Sequence, residues 1–162
     1  MMKTKSSVRI VFEYDCYCFF GTSYKYTLFS DGRFIKTITF STSISDFSKD
    51  KRSSPDEEII SSMQLVSAVE KVIEENRDEL KHLPKEVSNP QILDGACEKI
   101  KFGRIKISGS NILTESMTKT KKWYEQNNQE VPDWVETIIK FQKIFKKVEK
   151  AINEFVKVRL VN

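Results

Sequence analysis

The hydrophobic positions of this chain keep two different periods. Between residues 7 and 41, Val8, Ile10, Phe12 and Tyr14 alternate with Arg9, Val11 and Glu13, the period-2 pattern of a half-buried strand. Tyr24, Tyr26 and Leu28 alternate with Lys25 and Thr27, and Phe34, Lys36, Ile38 and Phe40 with Ile35, Thr37 and Thr39. Gly21-Thr22-Ser23 is expected to turn the chain between the first two runs. Ser30-Asp31-Gly32-Arg33 separates the second and third, where Asp-Gly signals a tight hairpin with both central φ angles positive. These features predict a three-stranded antiparallel meander.

After a polar stretch at 41–54, the period lengthens. Ser54-Pro55-Asp56-Glu57 has the form of a helix start: a capping hydroxyl, a proline that loses no bond at the first position, and a glutamate that can reach back. Ile59, Met63, Val66, Val69, Ile73 and Leu80 then keep one face apolar until Pro84 ends the helix near His82. Residues 87–111 read as strand and turn again. Asp94-Gly95 is a turn, and Ile100 and Phe102, then Ile105 and Ile107, alternate on either side of Gly103. The phase slip at Gly103 predicts a bulge or a tight reversal. A helix over 114–127 would carry Met117 and Trp123, and Val131-Pro132-Asp133-Trp134 opens a last one.

That last helix carries the strongest pattern in the chain. Trp134, Ile138, Phe141, Phe145, Val148, Ile152 and Phe155 recur at spacings of 4 and 3, a single stripe roughly 30 Å long. Burying seven such side chains contributes on the order of 10–20 kcal/mol before chain entropy is subtracted. Four of the seven are aromatic, whereas a coiled-coil seam wants leucine and branched aliphatics, so docking on a sheet is expected and a monomer is favoured over a coiled-coil dimer. The opposite edge carries Lys140, Lys143, Lys146, Lys147, Lys150 and Lys157, with Glu136–Lys140 and Lys150–Glu154 spaced as helical ion pairs. Ile139 stands among these lysines with no folding reason to be there, which marks it as a partner contact. The tail over 156–161 alternates with period 2 and fits either a continued helix or an edge strand.

The pattern as a whole predicts one α+β domain over 1–162: the meander packed against long amphipathic helices, with a second short strand region near 99–108. The longest uncharged run, residues 59–69, is too short to span a membrane, and charges at Arg9, Glu13 and Asp15 break any signal-peptide core. Three cysteines, an odd number, fit a reducing compartment, so a cytoplasmic location is expected.

Charge adds an asymmetry. The net charge of +4 divides as −1 over residues 1–90 and +5 over 91–162. Of 27 basic residues 21 are lysine, a weaker signal for nucleic acid than arginine would be. The opposite sign gathers at 74–79, an acid-rich stretch on the first predicted helix.

Candidate chemistry is sparse. His82 is the single histidine, so a Ser-His-Asp or Cys-His unit would have to be built on it, and its place near a helix end suits a dipole contact instead. Cys16 and Cys18 with Cys97 and His82 could be assembled into a zinc set, but a strand Cys-x-Cys lacks the paired knuckles of structural zinc sites. Five dispersed glycines form no phosphate-cradling loop. Neither a catalytic residue nor a metal or other cofactor is expected. The function expected is a non-catalytic protein-binding module whose contact residues are Ile139, Lys140, Lys143, Lys146, Lys147 and Lys150, with the acidic 74–79 face as the other charged surface. Its partner would be a larger enzyme or nucleoprotein. A phage or mobile-element inhibitor of anti-CRISPR or immunity type, occluding such an enzyme, is the narrower form of that expectation. The alternative is a sequence-independent nucleic-acid-binding accessory that uses the same lysine face.

Overall fold

The computed structural model describes residues 7–17, 21–41, 52–53, 55–91, 97–113 and 116–161. The predicted Asp94-Gly95 turn, the Ser54 cap and Cys18 lie outside them. The meander is formed by β1 (Ile10–Tyr17), β2 (Gly21–Phe29) and β3 (Arg33–Ser41), paired antiparallel in sequence order. Gly21-Thr22-Ser23, expected to be a turn, is instead the start of β2, paired with the end of β3. The second hairpin falls where Asp31-Gly32 placed it, but with different geometry. Ser30, Asp31 and Gly32 form a three-residue loop in which Gly32 alone is left-handed, at φ 99°, and its N–H donates to the Phe29 carbonyl. This matches a type I turn closed by a left-handed glycine.

The strand pair predicted around Gly103 is β7 (Cys97–Phe102) and β8 (Ile105–Ser110), joined by a tight reversal at Gly103-Arg104. β7 pairs antiparallel with β1, so the two strand regions make one sheet. Along it the order is β4 (Arg52–Ser53), β3, β2, β1, β7, β8 and β6 (Glu86–Ser88), with β5 (Glu57–Ser61) also on β3. β6 runs parallel to β8, and this pairing needs Gly109: a Cβ there would meet the Val87 carbonyl oxygen at 1.6 Å.

β5 corrects the sequence reading. Residues 57–61 form an edge strand, not the first turns of a helix; Phe34 pairs with Ile60 and Lys36 with Glu57. The β-branched pair Ile59-Ile60 gains more on the sheet than in a helix turn. The carboxylate of Asp56, in the supposed capping box, accepts from the Thr37 hydroxyl instead. The helix, α1 (Met63–Glu75), starts at Ser62, whose Oγ accepts from the Leu65 N–H at 3.2 Å. Its buried residues are Leu65, Val66, Val69 and Ile73, while Met63 is 58% exposed. Ser62→Ala is expected to lower stability by about 1 kcal/mol in chemical denaturation, the usual loss for a cap hydroxyl.

Asn76 interrupts the helical run, and α2 (Arg77–His82) follows. The last two helices, α3 (Met117–Gln126) and α4 (Asp133–Asn153), form an antiparallel hairpin. Lys121 bonds Glu136 at 2.9 Å near the turn, and the Met117 N–H donates to Gln142 Oε1 further from it. α4 lies over the middle of the sheet. Its Phe145 packs on Phe12 and Tyr14 of β1, and Phe141 on Phe102 of β7. α1 and α3 flank it. Five of the seven stripe residues, Ile138, Phe141, Phe145, Val148 and Ile152, are buried. Trp134 is half-buried; Phe155 lies beyond the last helical turn and is 39% exposed. The stripe is therefore spent on the core. The tail neither extends the helix nor forms a strand: it leaves Glu154 as irregular chain, its Val158 N–H bonded to Asn153 Oδ1, and buries Leu160 completely.

Candidate functional site

With its core side on the sheet and both flanks occupied, α4 has one free direction, away from the sheet between α1 and α3. Lys140, Lys143, Lys146, Lys147 and Lys150 are all exposed there. At 100° per residue they occupy one outward arc over about three helical turns. Of the acidic side chains near this crest, Glu154 stays beside it, exposed one turn past Lys150, while Glu136 is engaged elsewhere. Glu136 bonds Lys121 of α3 and not Lys140, its predicted helical partner. Glu149 is half-buried beside Lys146 in a cleft described below. Lys147 differs from the others, since its Nζ donates to Asn76 Oδ1 at 3.1 Å and ties the crest to the break between α1 and α2. Lys157 lies past the helix, on the irregular tail.

Ile139 does not stand out among the lysines as the sequence pattern placed it. It is 8% exposed and belongs to the core. The reason is the helical hairpin: Val135, Glu136, Ile139 and Gln142 lie on the side of α4 that faces α3, and both Glu136 and Gln142 bond α3 directly. A helix closing over the flank gave Ile139 the folding role that the single-helix pattern could not show. Gln142 adds a second bond from the same side, donating from Nε2 to the Ile112 carbonyl at 2.8 Å.

The other candidates resolve plainly. His82 contacts the Asp78 carbonyl through Nδ1 at 2.6 Å, a contact within its own helix turn. Glu74 bonds Arg77 at 2.6 Å, and Glu75, Asp78 and Glu79 face solvent. Cys16 is buried on the helix-covered face of the sheet, while Cys97 pairs with Tyr17 on the other face. Among the described residues no group of three His, Cys, Asp or Glu side chains could hold a metal ion. No helix among them is long and apolar enough to cross a membrane.

No helix packs on the face of the sheet opposite α4, among the described residues. It carries Glu13, Asp15, Lys25, Thr27, Lys99, Lys101 and Lys106 in cross-strand register. The Glu13 carboxylate accepts from the Thr27 hydroxyl at 3.0 Å and meets Lys101 at 3.4 Å. A groove of about 180 Å³ opens beside Asp15, Lys25 and Thr37. Burial raises the Asp15 carboxyl above its ordinary value, opposed by Lys25. These are paired, partly buried charges, without an acid and a base converging on one point.

One residue was missed by sequence reasoning. Glu98 faces α4 from β7, 1% exposed, with neither carboxylate oxygen in hydrogen-bond geometry with any group. The signal was available: Glu98 is in phase with Ile100 and Phe102, so the strand period alone puts its carboxyl on the core face.

The molecule is thus a two-layer α+β protein, one sheet with its helices on one side. No family model matches the chain, no curated protein matches its sequence, and no solved structure matches its fold.

Proposed function

We propose that the protein is a non-catalytic binding module and that the crest of α4 is its contact surface, taking an acidic face of a larger protein. The observation that supports this is the run of exposed lysines held on a core-anchored helix, with Glu136 engaged by Lys121 of α3. Such a surface steers an oppositely charged partner and fixes its register, and the anchoring of α4 means little order has to be gained on binding. An inhibitor of phage or mobile-element type that occludes a larger enzyme is the narrower form of this reading; it draws on the size of the chain and the character of the crest. Nucleic acid is the competing occupant of the same lysines.

The experiment compares the wild type with a K140E/K143E/K150E variant, which spares Lys147 because of its bond to Asn76. Both are used as bait in affinity capture from native-host lysate, and both are titrated against a fluorescent DNA duplex at two salt concentrations. The expected result is an acidic protein retained by the wild type and lost by the variant at unchanged stability, with no DNA binding. Retention of the same protein by both would overturn the crest as the contact surface. DNA binding by the wild type that weakens steeply with salt would replace protein with nucleic acid as the occupant.

A further inference from the structure

Glu98 lies in the core beside another unsatisfied group. The Tyr14 hydroxyl is fully buried and also lacks a partner in hydrogen-bond geometry. The two side chains come from neighbouring strands on the α4 side: Tyr14 pairs with Ile100, and Glu98 with Cys16. A buried carboxylate that the Ile112 and Leu113 amides and the Tyr14 hydroxyl approach without full hydrogen-bond geometry is costly, far more so than the same group carrying its proton. Burial raises the Glu98 carboxyl to about 7, the amides of Ile112 and Leu113 and the Tyr14 hydroxyl opposing the rise. For Tyr14 burial, together with Glu98 and Cys16, pushes the phenol far above its usual range, so it stays neutral throughout.

Those same neighbours wall a cleft. The connection leaving β8 passes through Asn111, held in the left-handed region at φ 55°, and then Ile112 and Leu113. Leu113 lines an opening of about 220 Å³ together with Ser116, Gln142, Phe145, Lys146, Glu149 and Val161. Phe145 packs edge-on against Tyr14, so Leu113 and Phe145 stand between the buried pair and the cleft. From the other elements, Tyr24 of β2 packs on Tyr14, and β8 presents only Gly109 opposite Glu98. The charged groups on the α4 side are Lys146 and Glu149, at the cleft.

We propose that Glu98 is a proton-operated latch on Ile112 and Leu113, which follow β8. With its proton, Glu98 donates to the Tyr14 oxygen, the pair is satisfied, and Ile112 and Leu113 close over it. When the proton leaves to solvent, the carboxylate needs water. The shortest way in is the cleft, so Leu113 moves off Phe145 and the wall opens. The device responds over the range where the carboxyl titrates, near neutrality.

Amide hydrogen exchange on the full chain, corrected for intrinsic rates, tests this from about pH 6 to about pH 8. Protection of the Ile112 and Leu113 amides is expected to fall by on the order of 10- to 100-fold over that range in the wild type and to stay flat in E98Q. Core amides of the meander such as Leu28 and Ile35 serve as the control. An equal fall at those amides would mean global destabilisation without a latch, and an equal fall in E98Q would mean that Glu98 is not the switch; either overturns the proposal. Should E98Q not fold, the carboxyl carbon shift of Glu98 in the wild type decides instead. A midpoint near 7 tracking Leu113 protection supports the latch, and a midpoint below about 5 overturns it.

Discussion

Phe145→Ala is expected to lower the free energy of unfolding by about 3–5 kcal/mol and the melting temperature by on the order of 10 °C. Phe145 is 2% exposed and meets Phe12 at 6.0 Å, Tyr14 at 5.3 Å and Phe141 at 6.2 Å between ring centroids. Truncation removes the ring's transfer energy and leaves a cavity that three aromatic neighbours on rigid elements cannot collapse to fill. Phe155→Ala removes the same ring from the same heptad-like series, yet it should cost under about 1 kcal/mol, because that side chain lies past the last turn and is partly in solvent. Urea denaturation of the two variants side by side measures the contrast. Equal losses would mean that α4 does not dock on β1 through its middle.

That contrast marks where periodicity stops being informative. The spacing of the seven residues found the helix and the face it buries, since both depend on the geometry of a single element. Where the helix stops is not set by the period: α4 ends at Asn153, so Phe155 leaves the stripe and is spared. Ile139 shows the same limit from the other direction. Taken alone, α4 offers no reason to bury it; the reason is α3, which folds back along its flank and is bonded there by Lys121 and Met117. The meander was legible because both its period and its turn residue are local, and even there the loop holds three residues with one left-handed glycine. β5 was hidden because a capping-box pattern competed with it. Two adjacent isoleucines facing the open edge of β3 outweighed a hydroxyl and a glutamate with the right spacing. Of the exposed lysines of α4, the arc could be read from helical angle, while the tie between Lys147 and Asn76 could not, because it joins positions 71 residues apart.

Glu98→Gln should reverse the usual cost of disturbing a core, and it should do so only at the alkaline end. The carboxyl titrates at about 7 in the folded protein against 4.5 as its ordinary value, so the folded state binds this proton more tightly than the unfolded chain does. Below about pH 4.5 both states carry the proton, and the native state keeps its full stability. Between about 4.5 and 7 the unfolded chain has lost the proton while the folded protein still holds it, so stability falls as pH rises; above that range both are ionised and the loss is constant. The shift corresponds to about 3 kcal/mol, as an order of magnitude. Glutamine has nearly the same shape and no charge to desolvate, so the variant lacks this slope. Its amide introduces its own unmatched donors, a cost of about 1–2 kcal/mol that does not vary with pH. The quantity to measure is therefore the change with pH in the stability difference between the two proteins, in which the titrations of Asp15 and the other carboxyls cancel. Urea midpoints at about pH 5 and about pH 8 should show the variant gaining on the wild type by about 3 kcal/mol. Parallel curves would mean that Glu98 finds a partner in solution that satisfies its charge, and the core of this protein would then contain a hydrated carboxylate at every pH.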